Sequence, residues 1–171
     1  MKQTLEIGQV RAVLTGVVRS YTRPHSRSAI NKQPHADAVA VGPLGLAGDE
    51  QGDPRVHGGP DKAVHCYAWG HYAQWQASLP PVATPLLQQP GAFGEHLSLD
   101  GFQVPDMARR VQDSGLAGWY LRVTRPGMVQ VGDRVQLLVH PHPGWTVARL
   151  LQLIADRSCD PAVLDEVLTL P

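Results

Sequence analysis

The chain has 171 residues, 43% of them hydrophobic, which is enough for one globular domain with a real core and at most a small appendage. Fifteen basic and fifteen acidic residues cancel, so no global charge points to nucleic acid or an anionic membrane surface, and any anion site must be local. No stretch approaches the roughly 20 apolar residues of a membrane helix, the start lacks the apolar run of a signal peptide, and the chain reads as cytoplasmic.

The two cysteines, Cys66 and Cys159, form no CxxC pair, which argues against a disulfide framework or a structural zinc site, though a single bridge between them stays open. Residues 10–18 are rich in β-branched side chains and predict a strand, and residues 38–41 predict a second, shorter one. Between them residues 19–35 carry Arg19, Arg23, Arg27 and Lys32 with Ile30 as the one large aliphatic residue, the composition of a mobile surface loop. Residues 42–49 alternate turn formers with small apolar residues, as a tight crossing does. Asp49, Glu50 and Asp53 then lack the register of a calcium loop, so Asp49 and Asp53 are expected to accept backbone N–H groups in Asx turns that hold the basic turn after them.

That turn is Arg55-Val56-His57-Gly58-Gly59-Pro60-Asp61-Lys62, running into the apolar residues Ala63, Val64 and Tyr67. Paired glycines permit positive φ and a close approach of backbone to a ligand, and Arg55, His57 and Lys62 set cationic or protonatable groups around the bend. The motif suits an anion, and it also suits plain turn punctuation with solvated charges. His65 and Cys66 are adjacent on a predicted strand, so their side chains face opposite ways and a cysteine–histidine nucleophile pair is not expected. The spacing of His57, His65 and His71 gives no standard metal set. Tyr72, Trp75 and Leu79 recur at helical spacing over residues 69–79, and Pro80-Pro81 stops that helix. Residues 80–90 read as an exposed proline-rich connector. Gly91-Ala92-Phe93-Gly94-Glu95-His96 then leads into an apolar strand, with Glu95 either tying down the turn or facing a ligand.

Three blocks in this order, residues 45–53, 57–67 and 91–98, resemble the MOSC domain family in its YiiM-like branch, related to the C-terminal domain of molybdenum-cofactor sulfurase. The resemblance runs from about Val10 onward. It implies a β-barrel core, binding of molybdenum cofactor (molybdopterin), molybdenum-ion and pyridoxal phosphate binding, and a role in sulfur handling or in the molybdenum-dependent reduction of N-hydroxylated bases. It also implies a pocket in which Arg55, His57, Gly58, Gly59 and Lys62 hold the cofactor's phosphate, completed by Lys32, which matches a pocket-facing lysine, and by Glu95 and His96. His96 stands where the family usually has asparagine, and an imidazole can donate a hydrogen bond there as well. The family's Pro-Cys dipeptide, whose cysteine is expected to meet molybdenum or carry sulfur, has no match between Leu99 and Arg110, and neither Cys66 nor Cys159 sits at its position.

Farther on, Asp106 is expected to cap a helix over residues 107–114 that Gly115 ends. Residues 118–123 and 134–140 predict strands separated by the turn Arg125-Pro126-Gly127, with Arg122 free to face pocket or solvent. Val147, Leu150, Leu151 and Ile154 then follow helical spacing behind Thr146. Asp160-Pro161 opens a last helix whose apolar face is Val163, Leu164, Val167 and Leu168. The expected architecture is mainly β with peripheral helices (α+β): a MOSC-type barrel domain over residues 1–140 and a partial C-terminal three-helix domain, here a helical hairpin, over 141–171. The expected function is that of a molybdenum-cofactor-dependent enzyme or sulfur carrier acting on a small-molecule substrate, with no nucleic-acid or membrane partner, a homodimer and an electron-donor protein as possible partners. The other reading is a catalytically silent anion-binding module.

Overall fold

The structure, a computed structural model, describes residues 5–20, 26–55, 57–101, 118–139, 141–142, 144–145, 149–150, 153 and 160–170. The described residues fall in two compact units, one formed by residues 5–101 and 118–136 and the other by those from 137 onward.

The first unit is built on β1 (Leu5–Thr15), whose last four residues, Ala12, Val13, Leu14 and Thr15, are all buried, as a strand covered on both faces requires. The short polar strands β2 (Arg19–Ser20) and β3 (Arg27–Ser28) pair with each other, and β4 (Gln33–Pro34) returns to pair with the end of β1. Residues 27–34 of the expected surface loop thus fold back to the end of the hub strand, which buries Ala29 and the side chain of Lys32, while Arg19, Ser20 and Arg27 stay exposed. Next come β5 (Val39–Gly42) and β6 (Gly45–Leu46), a hairpin made by the turn formers around Pro43.

A 3₁₀ turn (Pro60–Lys62) leads into β7 (Val64–Ala68), followed by helix α1 (Gly70–Ser78), which stops where Leu79 becomes extended ahead of Pro80. Residues 80–90 are largely exposed, as expected of a connector, with Val82 and Leu86 at the surface, but Pro81–Leu87 is a 3₁₀ helix anchored by buried Leu87, whose carbonyl accepts a bond from Gln76 Nε2 at 2.6 Å. The apolar Leu87, rather than the prolines, decides that placement. The chain then forms β8 (Leu97–Asp100), β9 (Trp119–Leu121), β10 (Gly127–Val129) and β11 (Arg134–Leu137).

The hub sheet runs β11-β1-β8-β7-β9, with β4 also on β1; a second sheet runs β10-β5-β6. β7 and β8 are parallel, as a crossover through α1 demands, while β1 is antiparallel to β8 with a register shift between Val10 and Ala12. Val10, Val13, Val64, Cys66 and Leu99 from the first sheet meet Val39 and Leu46 from the second in one core. The mainly β architecture is as expected, but the barrel is not found closed among the described residues. Among the described residues β9 bonds only to β7 and β10 only to β5, so the six-stranded and three-stranded sheets share a core without joining, beside the two-stranded β2-β3 sheet. A second core holds Tyr67, Tyr72 and Leu87 with Trp69, Trp75 and Phe93, and Trp75 Nε1 donates to the Tyr67 hydroxyl at 2.7 Å.

In the second unit, helix α2 (Pro161–Leu168) begins as its sequence dictates, with the Asp160 side chain accepting from Ala162 N at 3.0 Å and proline in the first turn. Arg149 lies over the Trp145 ring at 3.7 Å and pairs with Glu166 at 3.6 Å. Leu168 is 83% exposed, so the apolar face predicted for this helix is not fully covered. The predicted helix over residues 107–114 with its flanking Asp106 and Gly115 lies outside the described residues, as do Thr146, Val147, Leu151, Ile154 and Cys159. No helix among the described residues is long and apolar enough to cross a membrane.

Candidate functional site

A cleft of about 240 Å³ opens where the end of β1, the returning segment 27–32, the turn 49–62 and the Gly94–His96 segment meet. Its floor is a buried trio. Gly16 permits it: a Cβ there would run into the Ala29 carbonyl and crowd Lys32 Cδ, so only glycine lets segment 27–32 cross β1 this closely. Lys32 donates to Asp49 Oδ1, which also accepts from Gly16 N at 2.8 Å, while His96 Nε2 lies 2.9 Å from Asp49 Oδ2. The three side chains are 6%, 8% and 11% exposed.

The backbone settles the histidine's tautomer. His65 N donates to His96 Nδ1 at 2.9 Å, so Nδ1 is the acceptor and the ring hydrogen sits on Nε2, donating to Asp49. Lys32 Nζ, 3.1 Å from the same Nε2, therefore faces a second donor rather than an acceptor. Burial alone would raise the Asp49 carboxyl, but the bonds from His96, Lys32 and Gly16 N outweigh it and hold it below the usual carboxylate range. The expected Asx-turn role of Asp49 is thus corrected: it reaches back across 33 positions to Gly16, as Glu50 does to Val18 N at 2.6 Å. Asp53 does cap its own turn, accepting from Arg55 N at 3.1 Å.

The structure brings Lys32, His57, Gly58, Lys62 and His96 to the cleft and sets Arg55, Gly59 and Glu95 apart. Arg55 makes a two-point pair with Asp53 at 2.9 and 2.8 Å with its side chain 86% exposed; these bonds pull Asp53 down to about 2. Gly59 caps the 3₁₀ turn with φ of 84°. Glu95, fully buried, accepts from Tyr72 Oη at 2.5 Å, Gly91 N at 2.9 Å and Phe93 N at 3.2 Å, so it locks the turn before β8 against the aromatic core. Gly58 also has φ of 84°, and a Cβ there would collide with the Gln51 side-chain amide. Arg122 faces Asp61, with bonds of 2.7 and 2.5 Å.

Sequence reasoning missed Arg27, Asp49, Gln51, His65 and Tyr120 as lining residues. His65 stacks on Tyr120 at 4.8 Å between centroids, and burial lowers its pKa. Strand alternation carried that signal, since Cys66 is fully buried in the core and its neighbour must face the other way. Burial pushes the Cys66 thiol up to about 12. Among the described residues no three His, Cys, Asp or Glu side chains form a group that could hold a metal ion. The lining carries Arg27, Lys32 and Lys62 against Asp49, Glu50 and Asp53, so its formal charges balance while Asp49 and Asp53 are already engaged.

The sequence profile of the MOSC domain matches residues 53–106 and 102–136, which include the turn 57–62 and the Gly94–His96 segment. The protein YiiM of Escherichia coli strain K12 is 32% identical over 161 residues, 74% of this chain and 70% of that protein. This chain belongs to the MOSC domain family. A protein named reductase from Gibberella moniliformis is 31% identical to this MOSC chain over 84% of its residues, and the chain spans only 31% of that protein's length. The crystal structure of YiiM from Geobacillus stearothermophilus superposes with a TM-score of 0.65 at 21% identity, covering 96% of this chain and 92% of the other, which is a likeness of fold.

Proposed function

We propose that the cleft holds an oxygen-rich anionic ligand, the molybdenum cofactor that the family implies, in the service of sulfur transfer or of molybdenum-dependent reduction of N-hydroxylated bases. The observation that carries this reading is the cleft's donor set: Arg27 and Lys62 at the wall, Gly58 with its left-handed backbone, and the Lys32 ammonium on the floor. These residues fit the phosphate end of such a cofactor, because charge-assisted N–H donors are what a phosphate oxygen accepts from. When bound, the cofactor supplies two-electron chemistry at its metal. The chain's own residues bind and orient: Lys62 and Arg27 attract the anion, His65 and Tyr120 present a flat stacked wall, and Phe93 and Gly94 complete the lining.

A specific observation favours a second reading, an anion-binding module without metal chemistry. Cys66, the described cysteine, is buried away from the cleft, so among the described residues no thiolate faces the ligand. Molybdenum and pterin analysis of protein purified from a cofactor-producing host separates the two. About one molybdenum with one pterin per chain supports the cofactor reading; phosphate binding with neither present overturns it in favour of the module. Small-molecule substrate, homodimerisation and an electron-donor protein belong to the first reading.

A further inference from the structure

We propose that Asp49 is a positioning residue of the cleft: it orients Lys32 so that the ammonium's remaining N–H groups meet a bound anion's oxygen. The inference rests on the cleft being an anion site. An ammonium has three donors and no acceptor. Among the described residues Lys32 has two partners, and only Asp49 can accept, since the Nε2 of His96 carries its own hydrogen. Up to two ammonium N–H groups are left, on a side chain 6% exposed that lines the cleft. A buried donor without an acceptor is costly, and an oxygen-bearing ligand supplies one.

Asp49 is suited to this task and asparagine is not. The carboxylate accepts on both oxygens, from Lys32 and Gly16 N on one and from His96 on the other. An amide accepts on one side only. If its oxygen faces Lys32, its NH₂ meets the Nε2–H of His96, and the imidazole cannot switch tautomer because the His65 N–H already occupies Nδ1. If its oxygen faces His96, the NH₂ opposes Lys32 and Gly16 N. Either way the lysine or the histidine loses its anchor. The sign of the effect is diagnostic. Removing a negative charge beside an anion site strengthens anion binding if Asp49 is a bystander, and weakens it if Asp49 aims Lys32.

The test is titration of the intact chain with inorganic phosphate, followed by amide NMR and calorimetry, for the wild type and Asp49→Asn. The expected result is phosphate-dependent shifts at Gly58, Lys62 and Gly94 in the wild type, and an affinity about tenfold or more weaker in Asp49→Asn. Equal or tighter binding by the variant overturns the positioning role and leaves the cleft reading intact, whereas no cleft shifts in the wild type overturn the cleft reading and this inference together. Should Asp49→Asn fail to fold, the wild type still decides. The Lys32 ammonium ¹H–¹⁵N signal should keep its coupling to the Asp49 carboxylate carbon and shift on adding phosphate; loss of that coupling in the bound state overturns the proposal. The ¹⁵N shifts of His96 should report hydrogen on Nε2, and hydrogen on Nδ1 overturns it too.

Discussion

At the scale of single residues, burial decides which groups are chemistry and which are structure. Glu95 and Lys32 are both buried charged side chains, yet Glu95 is saturated by Tyr72 and two backbone amides while Lys32 retains donors. Tyr72→Phe removes the hydroxyl that donates to Glu95 and accepts from Gly91 N and Ala92 N, both at 3.1 Å, so it should destabilise the chain by about 1–3 kcal/mol in urea unfolding. A change below a few tenths of a kcal/mol would show the knot to be slack. Cys66, with its thiol pushed up to about 12, should resist alkylation at neutral pH until the protein is denatured. Labelling of native protein at the rate of a free thiol would contradict its burial.

The limits of the sequence lie at the level of elements. The Gly-Gly-Pro-Asp-Lys turn, the first helix and the strand carrying His65 and Cys66 could be read locally, because turn chemistry and side-chain period are local. The floor could not. Lys32 and His96 flank strands β4 and β8 that pair with β1, while Asp49 and Glu50 bond to Gly16 just past the end of β1, so three separate segments meet at one strand end. Arg55 and Arg27 show the same limit from the other side. The arginine within the motif is taken by its neighbour Asp53, and the one in the apparent loop reaches the cleft. For the turn itself, Gly58→Ala forces a left-handed φ on a residue with a Cβ and displaces Gln51, so it should cost roughly 1–2 kcal/mol and weaken phosphate binding. Stability and affinity both equal to wild type would show that the turn is more pliant than its geometry implies.

For the whole molecule, the same burial sets a pH dependence. Burial lowers the pKa of His65 and of His71, whose Nδ1 has no hydrogen-bond partner among the described residues. The unfolded chain binds these protons more readily than the folded one, so stability is full above the unfolded histidine value of about 6.5 and falls as the pH drops below it. Asp49, also lowered, contributes stability that is present above its unfolded value of 3.8 and is lost as the pH falls through its folded one. Urea midpoints should therefore be flat from pH 8 to about 7, decline toward pH 5 and decline again below pH 4. A midpoint that rose on acidification from pH 7 to 5 would have the wrong sign.

The proposed anion site is the cleft with Arg27 and Lys62 on its wall. It is tested most directly by comparing the inorganic phosphate affinity of Arg27→Ala/Lys62→Ala with that of Arg55→Ala by calorimetry. Each charge-assisted hydrogen bond to a partly desolvated anion is worth about 1.5–3 kcal/mol, so the double variant, which removes two, should lose about a hundredfold or more. Arg55→Ala, which breaks only an exposed pair with Asp53, should stay within about twofold of wild type. Loss of binding in Arg55→Ala, with the double variant unchanged, would contradict the account and return the anion site to the exposed turn.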